Sequence, residues 1–506
     1  MKLPVAVSLA FLLVTAVPLF AAPLRKGQVR VEGTKVTVLP LGQTVTIDPL
    51  PALHHGCEGK LTLGQPGWRG DFLLPKTAWV FRALTPGSLV VVLVAEPGVR
   101  LVEGRDYLID RDWGSLNAAP GSAIPPGAKL RFTYDYTQSR LDLVEQTPEG
   151  RLVVKKGQED MDEPLLPEPT PGRRPLLSVY LPHNTAQLTM ANINLIDPDY
   201  QGIPPVSGGE HLAKTRQKLA AGDPVTIAFF GDSITDQQPG DFRDGKGSFV
   251  DRVATYLAEE YKLREAAECP AQEPKQAVVV TPKEKVLEPA CGQIVVVKAG
   301  VGGDDTRGGL ARMDRDVLAH HPDLVVVMFG ANDENRRIEG DRRTRQNNVP
   351  VSEYRANLRR IVGKAQEAGA EVILMTTSMK NRGWEGTAGN LDEYAAAARQ
   401  VAAEQRVCLV DNFRAWEDLP KRGYNYMVFL GSCINHPVDL GHQVFFEGVR
   451  AALRLVLRSG ATSQSSTGSG SPRSRSQGTP RAEPRGGPGG ELGDPRIAQM
   501  ARSGGL

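Results

Sequence analysis

Val225-Thr-Ile-Ala-Phe-Phe-Gly-Asp-Ser-Ile-Thr235 decides the fold. A buried-strand run, Val225–Phe230, passes without a spacer into a polar turn that opens on glycine. The same design returns twice. Ile294–Val297 leads into Val297-Lys-Ala-Gly-Val-Gly-Gly-Asp304, and Leu324–Phe329 leads into Met328-Phe-Gly-Ala-Asn-Asp333. Amphipathic stretches near 249–263, 306–318, 352–368 and 391–404 read as helices, with further strands at 371–375 and 407–410 and a last helix near 441–455. Near-continuous Val/Ile/Phe strands alternating with such helices predict a parallel sheet covered on both faces, an α/β domain of three layers.

Function in open α/β sheets collects at the carboxyl ends of the strands. Here those ends offer the Ser233 hydroxyl, the backbone of a glycine-rich turn ending at Gly303, and the Asn332 amide. Near the chain's end Asn435-His-Pro-Val-Asp-Leu-Gly-His442 adds two imidazoles, His436 and His442, and a carboxylate, Asp439. A hydroxyl nucleophile, a base and donors for an oxyanion are the parts needed for acyl transfer through serine.

On these residues the chain resembles the SGNH (GDSL-type) hydrolases over roughly 209–457, about half its length. Gly231-Asp-Ser233 resembles the first family block, Ala299-Gly-Val-Gly-Gly303 the second, Gly330-Ala-Asn-Asp333 the third and His436-Pro437 the last. The resemblance implies a three-layer, flavodoxin-like hydrolase domain. It implies Ser233 as nucleophile, His436 as general base, and the Ser233 N–H, Gly303 N–H and Asn332 amide as the oxyanion hole. A bare Gly-Asp-Ser arises by chance in roughly one chain of this length in ten. The weight therefore rests on the order of the blocks and on their placement after buried strands. The family's usual aspartate, three residues before the histidine, is replaced by Cys433. The third member stays open between a backbone carbonyl, which leaves a Ser–His dyad, and another group. Asp439 is the nearest carboxylate, and Asp439-Leu-Gly-His442 reproduces the family spacing with His442 as the alternative base. Pro437 biases His436 toward extended backbone on a loop, whereas His442 is expected inside the last helix.

Upstream the texture changes. Gln28-Val-Arg-Val, Lys35-Val-Thr-Val, Gln43-Thr-Val-Thr-Ile and Lys129-Leu-Arg-Phe-Thr-Tyr alternate polar with apolar between turn residues. Period two predicts an all-β, sandwich-like accessory domain over 23–160. A Pro-rich joint, Glu163-Pro-Leu-Leu-Pro-Glu-Pro-Thr-Pro-Gly172, marks 161–208 as linker and connecting strands. Residues 1–22, with Lys2 before the largely apolar Val5–Phe20 and then Ala21-Ala22, read as an export signal. Residues 458–506 hold no aromatic, are rich in Gly, Ser and Pro, and carry 7 Arg against 3 acids. Such a tail buries too little apolar area to order itself, and its basic surplus allows contact with an anionic envelope polymer.

The 506 residues carry 60 basic and 58 acidic side chains, a balance too flat for a dedicated nucleic-acid binder. Gly240-Asp-Phe-Arg-Asp-Gly-Lys-Gly247 misses a phosphate-binding loop, since Gly247 stands where the magnesium-holding hydroxyl belongs. His54-His55 has no companion ligands at metal spacing. Neither a cofactor nor a metal is implied. Cys269 and Cys291, among five cysteines, are placed to close an insertion by a disulfide worth about 3 kcal/mol. Arg336, Arg337, Arg342, Arg343 and Arg345 crowd the loop after the third strand, either as a solvated run or as a rim for anionic substrates.

The expected protein is an exported serine esterase acting on carboxylic esters, with O-acyl groups on carbohydrate as its first substrate class. Small-molecule or polysaccharide esters are its expected partners. A lipid or thioester acylhydrolase is the alternative within enzymes. An inactive glycan-binding or envelope-anchoring protein on a hydrolase fold is the alternative outside them.

Overall fold

A computed structural model describes residues 22–60, 71–72, 80–125, 127–200, 202, 204–261, 277–281, 293–339 and 342–457. The expected export signal, the C-terminal tail and the Cys269–Cys291 pair lie outside the described residues, apart from residue 22 at the signal's end. The chain divides into two compact units.

The first unit gathers residues up to Leu53, Tyr136–Tyr200 and the excursion Pro420–Asn425. Val29–Glu32, Lys35–Val38 and Gln43–Thr46 form a three-stranded antiparallel sheet. Leu152–Lys155, Arg140–Gln146, Arg174–Leu181 and Ile193–Leu195 form a second, of four strands. Their inward side chains, among them Val36, Val38, Val45, Val144, Leu177 and Val179, make one core. The buried Arg140 is compensated by a two-pronged bond to Asp142 and by Glu159 at 3.0 Å. This division does not follow the 23–160 span expected from the sequence. Arg140–Gln146 finds its partner, Arg174–Leu181, beyond the Pro-rich joint, so that joint connects strands of one sheet.

The second unit holds His54–Asp135, Gln201–Leu419 and Tyr426 onward. Its first stretch contributes two small three-stranded sheets, and the remainder builds a seven-stranded one. The strands of that large sheet are β1 Val206–Ser207, β2 Val225–Gly231, β3 Ala277–Val280, β4 Ile294–Gly300, β5 Leu324–Met328, β6 Glu371–Met375 and β7 Cys408–Val410. They lie in the order β1-β7-β6-β5-β2-β4-β3. All neighbours are parallel except β1, which runs antiparallel to β7. The sheet is thus mixed and mostly parallel. The short edge strands β1 and β3 were not expected from sequence, because Val206–Ser207 is too short to show a period and β3 sits inside a polar insertion.

The helices are α1 Ala213–Ala221, α2 Ser233–Asp236, α3 Phe249–Tyr261, α4 Thr306–Asp316, α5 Ala331–Glu334, α6 Val351–Glu367, α7 Leu391–Gln405, α8 Asn412–Glu417 and α9 Asp439–Leu457. Helix α6 illustrates their logic. Tyr354, Leu358, Ile361, Val362 and Ala365 recur at helical spacing and are buried. They join Val325, Val327, Val372 and Leu374 of the sheet in the main core. Strands β2, β4 and β5 are buried at every position, as strands covered on both faces must be.

Candidate active site

Register brings the three glycine-bearing turns together. β2 is flanked by β4 and β5, and Gly231 stands abreast of Gly300 on one side and Met328 on the other. The first parallel strand thus has later strands on both sides, the switch point where such sheets form a crevice. Gly231 is required there, because a Cβ on it would lie 2.3 Å from Thr235 Oγ1 and 2.6 Å from the Met328 carbonyl oxygen.

Ser233 opens α2. Asp232 caps that helix by accepting from the Ile234 N–H at 3.0 Å, which leaves the serine at the first helical position. Burial raises the Asp232 carboxyl to about 7. Arg312 of α4 ties the first two blocks from beneath, donating to the carbonyls of Gly231 at 2.8 Å and Ala299 at 2.9 Å. In the second block Gly303 adopts a left-handed φ of +78°, a conformation glycine takes without steric cost. A Cβ on its neighbour Gly302 would stand 4.0 Å from Ser233 Cβ.

Asn332 lies on α5, directly after β5, and is almost fully buried. Its Nδ2 donates to the Asp304 carbonyl at 2.9 Å, and its Oδ1 accepts from Asn335 at 3.2 Å. One Nδ2 proton is thereby committed to the second block, and the amide plane is fixed. Asp333 accepts from the Thr306 N–H and hydroxyl, and burial raises its carboxyl to about 7. Lys380, beyond the end of β6, is buried against the same turn. Its ammonium donates to the Ala331 carbonyl and Asn335 Oδ1, both at 2.7 Å, and pairs with Glu334 at 2.6 Å.

His436 arrives from elsewhere in the chain. Leu430–Gly431 pairs antiparallel with His436–Pro437 in a miniature hairpin just before α9. Its Nε2 stands 2.8 Å from Ser233 Oγ, across 203 positions of sequence. The other ring nitrogen, Nδ1, is 3.0 Å from Asn435 Oδ1. Burial, then the Lys380 ammonium, push the imidazole down to about 4, with Asp241 opposing.

The structure thus brings Ser233 and His436 into direct contact, with Gly302–Gly303 and Asn332 on the neighbouring turns. It places the two alternatives in other bonds. His442 is fully buried in α9, its Nδ1 accepting from the Phe249 N–H at 2.9 Å and its Nε2 donating to Gln237 Oε1 at 2.8 Å. Asp439 accepts from the Arg243 N–H at 3.2 Å and faces Arg252 at 3.7 Å. The arginine-rich loop is a two-stranded hairpin, Arg336–Glu339 with Arg342–Asn347. Within it Arg343 stands over the Trp384 ring at 5.7 Å. Among the described residues no three His, Cys, Asp or Glu side chains gather as a metal site, and no helix is long and apolar enough to cross a membrane.

Sequence reasoning missed Lys380, Arg312 and Asn435. Thr376-Thr-Ser-Met-Lys-Asn381, a polar run at the end of a fourth buried strand, was the available signal for the first. Adjacency to His436 was the signal for Asn435.

The GDSL-like Lipase/Acylhydrolase family model matches residues 283–444. The acetylxylan esterase of Geobacillus stearothermophilus is 29% identical over 241 residues, which is 47% of this chain and 95% of that protein. Esterase TesA of Pseudomonas aeruginosa is 29% identical over 119 residues, 23% of this chain and 52% of that protein. The solved lipase/acylhydrolase from Enterococcus faecalis aligns at 26% identity over 46% of this chain and 96% of its own, with a TM-score of 0.32. Over residues 283–444 the chain is thus similar to the GDSL-like lipase/acylhydrolase family, and it is an ester-hydrolysing enzyme.

Proposed function

We propose that the protein is an exported serine esterase that removes short O-acyl groups, acetyl foremost, from carbohydrate. The observation that carries the mechanism is the 2.8 Å contact between Ser233 Oγ and His436 Nε2. With the ring neutral and its proton on Nδ1, the Ser233 hydroxyl donates to Nε2. Oγ attacks the ester carbonyl carbon as Nε2 takes the hydroxyl proton. The carbonyl oxygen becomes an oxyanion and accepts from the Ser233 N–H, the Gly303 N–H and the second Nδ2 proton of Asn332. Collapse breaks the bond to the alcohol oxygen, which leaves with the proton held on Nε2. Water then repeats the cycle on the acyl-enzyme, giving the carboxylic acid and free Ser233.

Carbohydrate O-acyl groups are favoured because the relative aligned over 95% of its length is named an acetylxylan esterase. Export is supported by the lysine-led apolar run at 2–20 and by a 33% identical stretch of 85 residues in an uncharacterized lipoprotein of Bacillus subtilis. A panel of p-nitrophenyl esters from acetate to palmitate, followed by acetylated xylo-oligosaccharides, tests the reading. Turnover highest on acetate and acetate release from the sugar are expected. A maximum at long chains would replace it with a lipid acylhydrolase, and no turnover on any ester would leave a binding protein. Ser233→Ala should lower turnover by at least about 10³-fold with the fold intact.

A further inference from the structure

We propose that Asn435 is the positioning residue of this site, its side-chain oxygen holding the His436 ring where the family places a carboxylate. The inference rests on the reading of Ser233 and His436 as the reacting pair. His436 offers its Nε2 lone pair to Ser233 only when the ring proton sits on Nδ1, so whatever faces Nδ1 must accept a hydrogen bond. Asn435 Oδ1 is 3.0 Å away and is such an acceptor. An asparagine fills this role in papain-like proteases, so the chemistry has precedent with a neutral amide.

Of the positions that sequence offered for the role, Cys433 is built into a turn and Asp439 is held by arginine groups. Cys433 holds the family's usual acidic position, but it and Ser432 are the two left-handed residues of the tight turn that closes the hairpin, at φ +57° and +55°. The turn is closed by Cys433 N–H to Leu430 O at 2.9 Å and Ile434 N–H to Gly431 O at 3.2 Å. Asn381 clamps it from the end of β6, donating Nδ2 to the Cys433 carbonyl at 2.8 Å and its own N–H to the Ile434 carbonyl at 2.7 Å. The Phe81 N–H, from the β-rich stretch of the same unit, donates to the Ser432 carbonyl at 3.0 Å. A turn pinned on three sides sets the backbone of Asn435 and His436. Asp439, the nearest carboxylate in sequence, is held by Arg243 and Arg252.

The charged groups acting on the ring are Lys380, beyond the end of β6, and Asp241 from the loop before α3, while the ring itself faces His442 of α9, which is lowered in turn. None of these is a carboxylate bonded to Nδ1. An amide fixes tautomer and orientation but brings no negative charge to stabilise the imidazolium. A carboxylate introduced at 435 would add that charge.

The test uses the full chain, p-nitrophenyl acetate, and pH–rate profiles of Asn435→Ala and Asn435→Asp beside Ser233→Ala and His436→Ala. Asn435→Ala is expected to lower kcat by about 10²-fold with KM little changed. Asn435→Asp is expected to keep turnover and move the acid limb of kcat up by at least about one pH unit. A folded Asn435→Ala with wild-type kcat overturns the proposal, and so does an Asn435→Asp limb coincident with wild type. If Asn435→Ala does not fold, the Asn435→Asp profile decides alone. If Ser233→Ala and His436→Ala keep wild-type turnover, the pair itself is wrong and the proposal falls with it. Dead Ser233 and His436 variants beside indifferent Asn435 variants reject this inference only.

Discussion

A free imidazole titrates near 6.5, and an esterase using one would lose activity below that pH. His436 sits lower, at about 4, because its protonated form is buried and faces the Lys380 ammonium. In the proposed mechanism only the neutral ring takes the Ser233 proton, so activity is expected to fall as pH drops through that lower value. The kcat/KM profile should stay level from neutrality to about pH 5, with its acid limb near 4. A limb near 6.5 would show that burial and Lys380 do not act on the ring. Asn332 is proposed as an oxyanion donor. Its amide is fixed by the Asp304 carbonyl and Asn335, so no reorganisation is needed when the oxyanion forms. Asn332→Ala should cost about 10² to 10³ in kcat with KM little changed. A change confined to KM would make Asn332 a substrate-binding residue.

At the scale of elements, α5 is joined to the start of α4 through a carboxyl whose proton the fold holds up to about pH 7. Asp333 accepts two hydrogen bonds from Thr306 at Oδ1, and its burial raises it from 3.8 to about 7. Between those values the folded protein holds a proton that the unfolded chain has released. The carboxyl's contribution to stability therefore declines as pH rises from about 4 through about 7. Asp232 acts in the same direction over the same window. The lowered His436 acts oppositely, but only between about 4 and 6.5. Wild-type Tm should accordingly fall from pH 6.5 to 8. Asp333→Asn, which keeps the acceptor for Thr306, should reduce that fall. Melting curves at the two pH values check it, and an undiminished slope would assign the effect to other groups.

For the whole molecule, each unit has a core of its own. One draws on Val36, Val144 and Val179, the other on Val297, Val325 and Leu358. Residues 458–506 have no aromatic side chain with which to extend either. Removing them should leave both Tm and turnover on soluble esters unchanged. A fall of several degrees in Tm would mean that the tail docks on the folded body.

Alternation of Val/Ile runs with amphipathic stretches determined the α/β sheet, because burial on both faces leaves a strand no polar positions to alternate. The turns after β2, β4 and β5 were legible for a related reason: polar and glycine residues interrupt apolar runs where the strands end. These features are local, and the period of the chain records them. What tertiary structure alone decided is which distant groups meet. Strand order set the three turns side by side, and a hairpin 203 positions away delivered His436 to Ser233. Pairing across the Pro-rich joint assembled the first unit from separated stretches. The placement of Asn435 against Nδ1, and of Lys380 beneath α5, depends on turn geometry and on burial. A hydrogen bond between side chains is fixed by the backbone angles that aim them, and residue spacing does not encode those angles.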